Sequence, residues 1–215
     1  LRLENDFAAA ALGAVSGTAA QRITLQAGEP LNNAPRLVIG AGTGLGMAMV
    51  LPEEGRWRIV ASEGGHAAFA PANEQQMALW FFLQARHGRV TWERVVSGAG
   101  LAAIHECLAG ALLSPEEISH RALNTPDSPE GRALDLFLAA YGAFAGDMAL
   151  ACLPRGGVFL AGGIIAKLAP VLAHSGFLGA FKAKAEHADI ASGMPIHVVT
   201  DPLLGLHGAL HYALE

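Results

Sequence analysis

Cysteine is scarce in this chain of 215 residues, which contains only Cys107 and Cys152. Neither belongs to a Cys-x-x-Cys pair, and two cysteines cannot form the disulfide framework of a small secreted domain. Aromatic residues are also few, at 7%, whereas hydrophobic residues reach 52% and the mean hydropathy is +0.36. This composition excludes a disordered chain. It predicts a globular protein of the reducing cytoplasm with one large domain or two small ones.

Positive charge is sparse as well. The chain has 14 Lys and Arg against 19 Asp and Glu, a formal net charge of −5, and no run of three basic residues. Nucleic acids and anionic membrane surfaces are bound through basic patches, so neither is expected as a partner. The longest uncharged apolar stretch, between Asp135 and Asp147, is shorter than the ~20 residues that span a bilayer. No basic segment opens the chain, so we expect no signal peptide.

Several motifs that carry chemistry are missing. The nine histidines include no His-Glu-x-x-His motif and no Cys/His cluster at zinc spacing, so the residues predict no metal site. His207 and His211 share one face of the last predicted helix, and two ligands without a third indicate surface residues. Ser97 is not a nucleophile elbow, because Val95 stands where glycine is required. No Gly-Lys-Ser/Thr sequence is present, which excludes a Walker A loop.

The patterning predicts a mixed α/β fold that begins with hairpins and ends with helices. Short apolar runs separated by turn residues predict strands, and their close spacing indicates antiparallel hairpins. The predicted strands cover 22–26, 36–39, 47–51, 57–61, 157–161 and 196–200. The predicted helices cover 5–20, 74–87, 98–113, 129–153 and 206–214, with further helix starts at Ser114 and Ile164. The helix after Pro129 is apolar nearly all round, which leaves it as either core or a homodimer interface.

The segment Gly40-Ala41-Gly42-Thr43-Gly44-Leu45-Gly46 is the strongest local feature. A loop this rich in glycine exposes backbone N–H groups and lets a ligand approach closely, which suits a phosphate. It has neither the Gly-x-Gly-x-x-Gly spacing nor the following helix of a dinucleotide-binding turn. We interpret it as a hairpin tip that presents amides and a Thr hydroxyl; a wide turn without function is the alternative.

Other candidate residues are ambiguous when taken singly. Asn5-Asp6 reads first as a helix cap. Glu63 and His66 flank two glycines after a strand, where they could bind hydroxyl groups or form an ordinary surface turn. Glu93 alone reads as a solvated side chain. Gly162-Gly163-Ile164 links a buried strand to a helix N-terminus, which can attract an anion or serve ordinary packing.

Together these segments resemble the bacterial ATP-dependent glucokinases, a family of the sugar kinase/Hsp70/actin superfamily. The matching stretches follow the family's order: Glu4-Asn5-Asp6-Phe7, the glycine loop 40–46, Glu63-Gly64-Gly65-His66 with Phe69-Ala70-Pro71, Glu93-Arg94-Val95-Val96-Ser97-Gly98, and Ala161-Gly162-Gly163-Ile164. The resemblance implies an actin-like ATPase (ribonuclease H-like) fold, with a mixed sheet of N-terminal hairpins and later strands packed against helices. Residues 1–215 would form the family's large, C-terminal domain.

The resemblance also implies a role for each matching residue. Asp6 looks like the base that takes the proton from the sugar 6-hydroxyl. The sugar ligands would be Asn5, Glu63, His66 and Glu93. The cofactor ligands would be Gly42, Thr43 and Gly44 in a phosphate loop, and Gly162, Gly163 and Ile164 in an adenosine-binding turn. The implied reaction is phosphorylation of glucose by ATP with Mg²⁺, a step of glycolysis in the cytoplasm. The Cys-rich zinc motif of the related repressor/kinase group is absent, which favours the glucokinase branch.

The sequence departs from the family in one respect. The family's first phosphate loop, Asp-x-Gly-Gly-Thr-Asn, is absent, so we expect the small N-terminal lobe to be largely missing and this chain alone to turn over sugar poorly. Two alternatives remain open: a sugar-binding regulator without catalysis, and a kinase for another hexose. Retention of Asp6 argues against the regulator, since a sensor needs no base. The match of Glu63, His66 and Glu93 favours glucose.

Overall fold

A six-stranded mixed sheet forms the centre of the protein in a computed structural model that describes residues 5–214. The strands are β1 (Arg22–Gln26), β2 (Arg36–Ala41), β3 (Leu45–Glu53), β4 (Arg56–Ser62), β5 (Val158–Ala161) and β6 (Ile196–Val199). Their order across the sheet is β1-β6-β5-β2-β3-β4. Strands β2, β5 and β6 are parallel, and β2, β3 and β4 form an antiparallel meander. The carboxyl ends of β2 and β5 therefore meet at one edge of the sheet.

Helices cover both faces of this sheet. They are α1 (Asp6–Ser16), α2 (Glu74–His87), α3 (Gly98–Ala109), α4 (Pro115–Asn124), α5 (Pro129–Cys152), α6 (Gly163–Leu172), α7 (Phe177–Lys182), α8 (Ala188–Gly193) and α9 (Leu204–Leu214). The helix start predicted at Ser114 is confirmed, because its side chain caps α4. The side chains of Asn73, Ser97 and Ser128 cap α2, α3 and α5 in the same way.

Successive side chains of β2 point to opposite faces of the sheet and so belong to two different cores. Leu37, Ile39 and Ala41 belong to the larger core, which α5 crosses, whereas Val38 faces the smaller core beneath α1. Both faces are apolar because the strand is buried on both sides. The buried Tyr141 of α5 donates a hydrogen bond to the carbonyl oxygen of Ile39 at 3.3 Å. Burial raises the pKa of Tyr141, which keeps this donor protonated and supports the strand that leads into the glycine loop.

Helices α1 and α9 pack so closely that glycine is required at two of their contact positions. A Cβ on Gly208 would overlap the carbonyl oxygen of Ala9, and a Cβ on Gly13 would overlap that of Leu204. The two glycines allow the helix backbones to approach closely, which fixes the position of α1 along α9.

The predicted pairing of the first strand is wrong. Strand β1 forms no hairpin with β2 and instead lies antiparallel to β6 at the far edge of the sheet. The segment between β1 and β2 contains Pro30 and Pro35. Its backbone hydrogen bonds go to other parts of the chain, from Glu29 N–H to the Gly193 carbonyl oxygen at 2.7 Å and from Leu31 N–H to that of Arg155 at 2.9 Å. These bonds carry the chain past β6 and β5, so a tight turn cannot form.

Some predicted helix ends are also wrong. Helix α1 ends at Ser16 rather than near residue 20, because Gly17 is extended and Thr18 pairs with Gln21 in a capping box. Helix α3 ends at Ala109, since Gly110 adopts the left-handed conformation with φ 67°. The short helices α7 and α8 were not predicted, because six residues give too little periodicity to detect.

Helix α5 qualifies as a membrane span on length and composition alone, with a hydropathy of 1.4 over an 18-residue window. The uncharged run between Asp135 and Asp147 is only the middle of this helix, so it understates the apolar length. Within the protein, however, 67% of that window is buried. Its buried residues include Phe137, Tyr141 and Phe144, so α5 serves as the core helix of the fold.

Candidate active site

Asn5 and Asp6 lie at the N-terminus of α1. The Oδ1 atom of Asn5 caps the helix by accepting hydrogen bonds from the backbone N–H groups of Phe7 at 2.9 Å and Ala8 at 3.1 Å. Asp6 is exposed, and its Oδ1 atom also accepts from the N–H of Phe7, at 2.7 Å. Asp6 is the acidic residue of the first turn of α1, where a negative charge complements the positive end of the helix dipole. Glu4, which belongs to the same matching stretch, lies outside the described residues.

The glycine loop is the tip of the β2–β3 hairpin, as predicted. Gly40 pairs with Gly46 and Ala41 with Leu45, which leaves Gly42, Thr43 and Gly44 at the turn. The turn is held by bonds from Gly42 N to Gly44 O and from Gly98 N, at the start of α3, to Gly42 O, both at 2.9 Å.

The four glycines of this segment serve different purposes. A Cβ at Gly40 or Gly46 would collide with the ring of Phe7, and a Cβ at Gly44 would lie 2.7 Å from Oε2 of Glu93. Nothing lies within 4 Å of a Cβ at Gly42. Packing against the Phe7 ring therefore requires glycine at positions 40 and 46, and a side chain at Gly44 would displace the Glu93 carboxylate. Gly42, by contrast, faces open space that a ligand can fill.

Glu63, His66 and Glu93 come together beside the loop, although they are distant in sequence. Trp92 N donates to Ala67 O at 3.0 Å, and Ala68 forms a β-bridge with Thr91, so the two segments run side by side. The Nε2 atom of His66 lies 3.7 Å from a Glu63 oxygen, and its Nδ1 atom lies 3.9 Å from Oε1 of Glu93. These separations exceed hydrogen-bond distance, so the polar atoms remain available to hydroxyl groups.

Glu93 is more tightly held than its sequence context indicated. It is half-buried, and its Oε2 atom accepts a hydrogen bond from the backbone N–H of Leu45 at 3.0 Å. The neighbouring Trp92 is buried in the core and anchors the short 3₁₀ turn that carries Glu93. The interpretation of Glu93 as a freely solvated side chain is therefore wrong.

Most of the predicted residues line one cleft of about 360 Å³. This cleft is bounded by Asn5, Asp6, Gly42, Thr43, Gly44, Glu63, Glu93 and Gly162. His66 adjoins it through its two glutamate neighbours. The lining combines three carboxylates with an amide group and loop glycines, which suits a ligand rich in hydroxyl groups.

A second cleft of about 680 Å³ begins on the other side of the glycine loop. Gly42 and Thr43 line both clefts, and Gly163 and Ile164 line the second. Much of the remaining wall is apolar and comes from Leu101, Pro115, Leu123 and Leu168, while Lys167 supplies a positive charge. The turn after β5 is thus divided, since Gly162 faces the first cleft and its two successors face the second.

Part of the second cleft consists of residues that the sequence motifs did not predict. Helix α4 contributes Glu116, Ser119 and His120, and the start of α3 contributes Gly98 and Ala99. The only signal at α4 was the helix start at Ser114-Pro115, which was interpreted as structural. Nothing in the sequence indicates that this helix lies across from Gly163.

The family model for glucokinase matches residues 1–215. The chain belongs to the glucokinase family. A glucokinase from Chromobacterium violaceum is 38% identical over 220 residues, with 99% of this chain and 63% of that protein covered. The chain therefore spans less than two thirds of the length of this relative.

Solved structures of glucokinases share the fold. The crystal structure of a glucokinase from an Antarctic psychrotroph matches with a TM-score of 0.88 at 31% identity, covering 96% of this chain and 66% of that one. A ROK family glucokinase from Streptomyces griseus, solved in complex with glucose and AMPPNP, matches with a TM-score of 0.65 at 19% identity, covering 98% and 67%. The predicted α/β, actin-like ATPase fold is confirmed.

Proposed function

We propose that this chain carries the sugar and nucleotide clefts of an ATP-dependent glucokinase, which transfers the γ-phosphoryl group of ATP to the 6-hydroxyl of glucose. The observation that carries this proposal is that Gly42 and Thr43 line both clefts. Phosphoryl transfer depends on positioning donor and acceptor in line and on stabilising charge. A loop between a hydroxyl-binding cleft and a large, partly apolar cleft meets that requirement.

Asp6 acts as the general base in this proposal. Its carboxylate accepts the proton of the sugar 6-hydroxyl while the hydroxyl oxygen attacks the γ-phosphorus. The bond between the γ-phosphorus and the bridging oxygen breaks, and ADP leaves with the electron pair of that bond. The backbone amides around Gly42 and the hydroxyl of Thr43 hold phosphate oxygens during the transfer.

The sugar is recognised by the polar groups of the first cleft. Glu63 and Glu93 accept hydrogen bonds from ring hydroxyls, and His66 between them donates or accepts through its ring nitrogens. Because the Oδ1 atom of Asn5 caps α1, the side-chain NH₂ group of Asn5 would bind the sugar. A sugar with one altered hydroxyl leaves one of these groups unpaired, which supports selection for glucose among hexoses.

The second cleft fits a nucleotide. Leu101, Ile164 and Leu168 offer apolar surface to a flat base, the N-terminus of α6 at Gly163 attracts phosphate, and Lys167 adds a positive charge. Within residues 5–214, no group of three His, Cys, Asp or Glu side chains could hold a metal ion by itself. Mg²⁺ would therefore be held mainly by ATP phosphates and water, and it would neutralise phosphate charge.

We further propose that the chain forms the large lobe of a two-lobed kinase. The relatives extend by about a third of their length beyond the matched part, as the coverage of 63% and 66% indicates. Leu206, Leu210 and Leu214 recur on one face of α9 and are 65%, 56% and 78% exposed. A second lobe that covers this stripe and closes the open sugar cleft explains both features. Without it, turnover by these 215 residues alone would be slow.

A cytoplasmic location within glycolysis completes the proposal. Cys107 and Cys152 are both free, which agrees with a reducing compartment where ATP and glucose are available.

The test measures ligand binding and turnover on the full-length protein that contains this chain. Calorimetry follows glucose binding, and a coupled assay follows ADP release with a panel of hexoses. The proposal expects saturable glucose binding and turnover confined to glucose or fastest with it. Glucose binding without turnover of any hexose would favour a non-catalytic sugar sensor, and faster turnover of another hexose would overturn the substrate assignment.

A further inference from the structure

We propose that Phe7 is a positioning residue that fixes the Asp6 carboxylate relative to the phosphate loop 42–44. This inference rests on the proposed function, because it assigns roles to Asp6 and to the loop. Phe7 lines the first cleft, but its side chain has no polar atom that could accept a proton or bind a phosphate. Its effect on the reaction would therefore be exerted through its neighbours.

The ring of Phe7 is seated on the stem of the glycine loop. A Cβ at Gly40 would approach the ring's Cε2 atom, and a Cβ at Gly46 would approach Cδ2, Cε2 and Cγ, all at less than 3.0 Å. Gly40 and Gly46 are paired directly across β2 and β3. The ring thus lies against both strands of the hairpin, one residue pair before the pair that closes the turn. Only glycine at positions 40 and 46 leaves room for the ring.

The backbone of the same residue holds the catalytic end of α1. The Phe7 N–H group donates to Oδ1 of Asn5 at 2.9 Å and to Oδ1 of Asp6 at 2.7 Å. A shift of the Phe7 ring away from the hairpin therefore moves the N–H group that orients both side chains. Phe7 thus links the Asp6 carboxylate and the Asn5 side-chain amide to the stem of the loop 42–44.

The middle of α1 is held in place by its neighbour α9. Gly13 and Ala9 lie in close backbone contact with α9 through Leu204 and Gly208. Helix α1 is thus fixed at its middle by α9 and at its start by the Phe7 ring. Loss of the ring frees only the start, which is where Asp6 is attached.

Removal of the ring is expected to lower kcat more than it raises either KM. Misplacement of reacting groups by about 1 Å lowers rates by about 100-fold. We therefore expect Phe7→Ala to lower kcat by about 100-fold, while the KM for glucose rises by less than about 5-fold. Of the proposed sugar ligands only Asn5 lies at the start of α1, whereas Glu63, His66 and Glu93 lie on other segments.

The experiment pairs Phe7 with the glycine that it covers. Gly46→Ala, Phe7→Ala and the double variant are compared in the full-length protein, with Val15→Ala as the control, since Val15 is a buried residue of the same helix and core. Gly46→Ala alone should also lower kcat, because the added methyl group displaces the ring. In the double variant the ring is gone, so kcat should be no lower than in Phe7→Ala. Val15→Ala should lower the Tm and leave kcat unchanged.

A second readout does not depend on activity. The backbone amide resonances of Gly42 and Gly44, observed with ¹⁵N-glycine labelling, should shift in Phe7→Ala and remain in place in Val15→Ala. Unchanged loop resonances in Phe7→Ala would overturn the inference whether or not the protein is a kinase. A double variant whose loss of kcat equals the product of the two single losses would also overturn the inference. So would a Phe7→Ala variant in which a KM rises while kcat stays constant. A wild-type protein without kinase activity would contradict the proposed function, and the resonances would then decide the role of Phe7 separately.

Discussion

The carboxylate of Glu93 accepts a hydrogen bond from the backbone N–H of Leu45 at 3.0 Å. Leu45 is the first residue of β3, directly after the turn formed by residues 42–44, and a Cβ on Gly44 would meet the same carboxylate oxygen at 2.7 Å. The other oxygen, Oε1, lies 3.9 Å from Nδ1 of His66. Glu93 therefore joins the end of loop 42–44 to the group of side chains proposed to bind the sugar.

Because Glu93 contacts both the Leu45 N–H and His66, two substitutions of Glu93 should have different effects. Glu93→Gln keeps an acceptor for the Leu45 N–H but removes the charge, so the Tm should change little while glucose affinity falls about 10-fold. Glu93→Ala leaves that N–H without its partner and should also lower the free energy of unfolding by about 1–2 kcal/mol. Urea denaturation and glucose calorimetry measure the two effects. The control is Glu186→Gln, an exposed glutamate outside both clefts, and equal glucose binding by wild type and Glu93→Gln would contradict the assignment.

The open space at Gly42 predicts a functional effect without a loss of stability. Nothing within 4 Å would meet a Cβ at Gly42, so Gly42→Ala should fold with a nearly unchanged Tm. The added methyl group would stand where the backbone approaches a phosphate, so the KM for ATP should rise by about 10-fold or more. Gly179→Ala is the matched control, because Gly179 is a helical glycine with equally open surroundings outside both clefts. An unaltered KM for ATP in Gly42→Ala would contradict a phosphate site at this loop.

His197 gives the protein an acid-sensitive group far from the proposed chemistry. Burial lowers the pKa of His197, and the charges of Arg22 and Arg36 lower it further. Its ring tilts against Phe159 with centroids 5.3 Å apart, and its Nδ1 atom lies 3.2 Å from the hydroxyl of Thr24. The folded protein therefore resists protonation of this ring more than the unfolded chain does.

The direction of the pH effect follows from that difference. Above the unfolded pKa of 6.5 both states are neutral at His197, so it contributes no pH dependence there. As the pH falls below that value, the unfolded state takes up the proton first, so the folded state loses stability. Urea denaturation at about pH 7.5 and about pH 5.5 should show a smaller stability loss on acidification in His197→Gln than in wild type. The exposed His211→Gln should behave as wild type, and an identical loss in all three proteins would contradict this role of His197.

Local signals predicted much of the fold and of the site. Capping residues such as Ser114 and glycines with positive φ such as Gly88 act within a few residues, so the helix start at Ser114 and the end of α2 could be predicted. The hairpin at Gly42 was predicted for the same reason. The pairing of β1 with β6 could not be, because it joins segments separated by most of the chain. The hydrogen bond between Glu93 and Leu45 also depends on tertiary packing. The local sequence around Glu93 therefore indicated only a solvated side chain.

The roles proposed for the two clefts rest on the family resemblance rather than on local sequence signals. Asn5, Asp6, Glu63 and Glu93 gave ambiguous local signals, and the fold brings all four to one cleft. The contribution of α4 to the second cleft was missed, because Ser119 and His120 follow an ordinary helix pattern. A helical side chain carries no local sign of what lies across a cleft from it.

The most direct test of the account is the rate of glucose phosphorylation by Asp6→Asn in the full-length protein. The amide cannot accept the hydroxyl proton, so kcat should fall by about 100-fold to 10,000-fold while glucose still binds. Asp189→Asn is the matched control, since Asp189 is an exposed aspartate in the first turn of α8 and lines neither cleft. A kcat for Asp6→Asn within about 2-fold of wild type would contradict the assignment of Asp6 as the base.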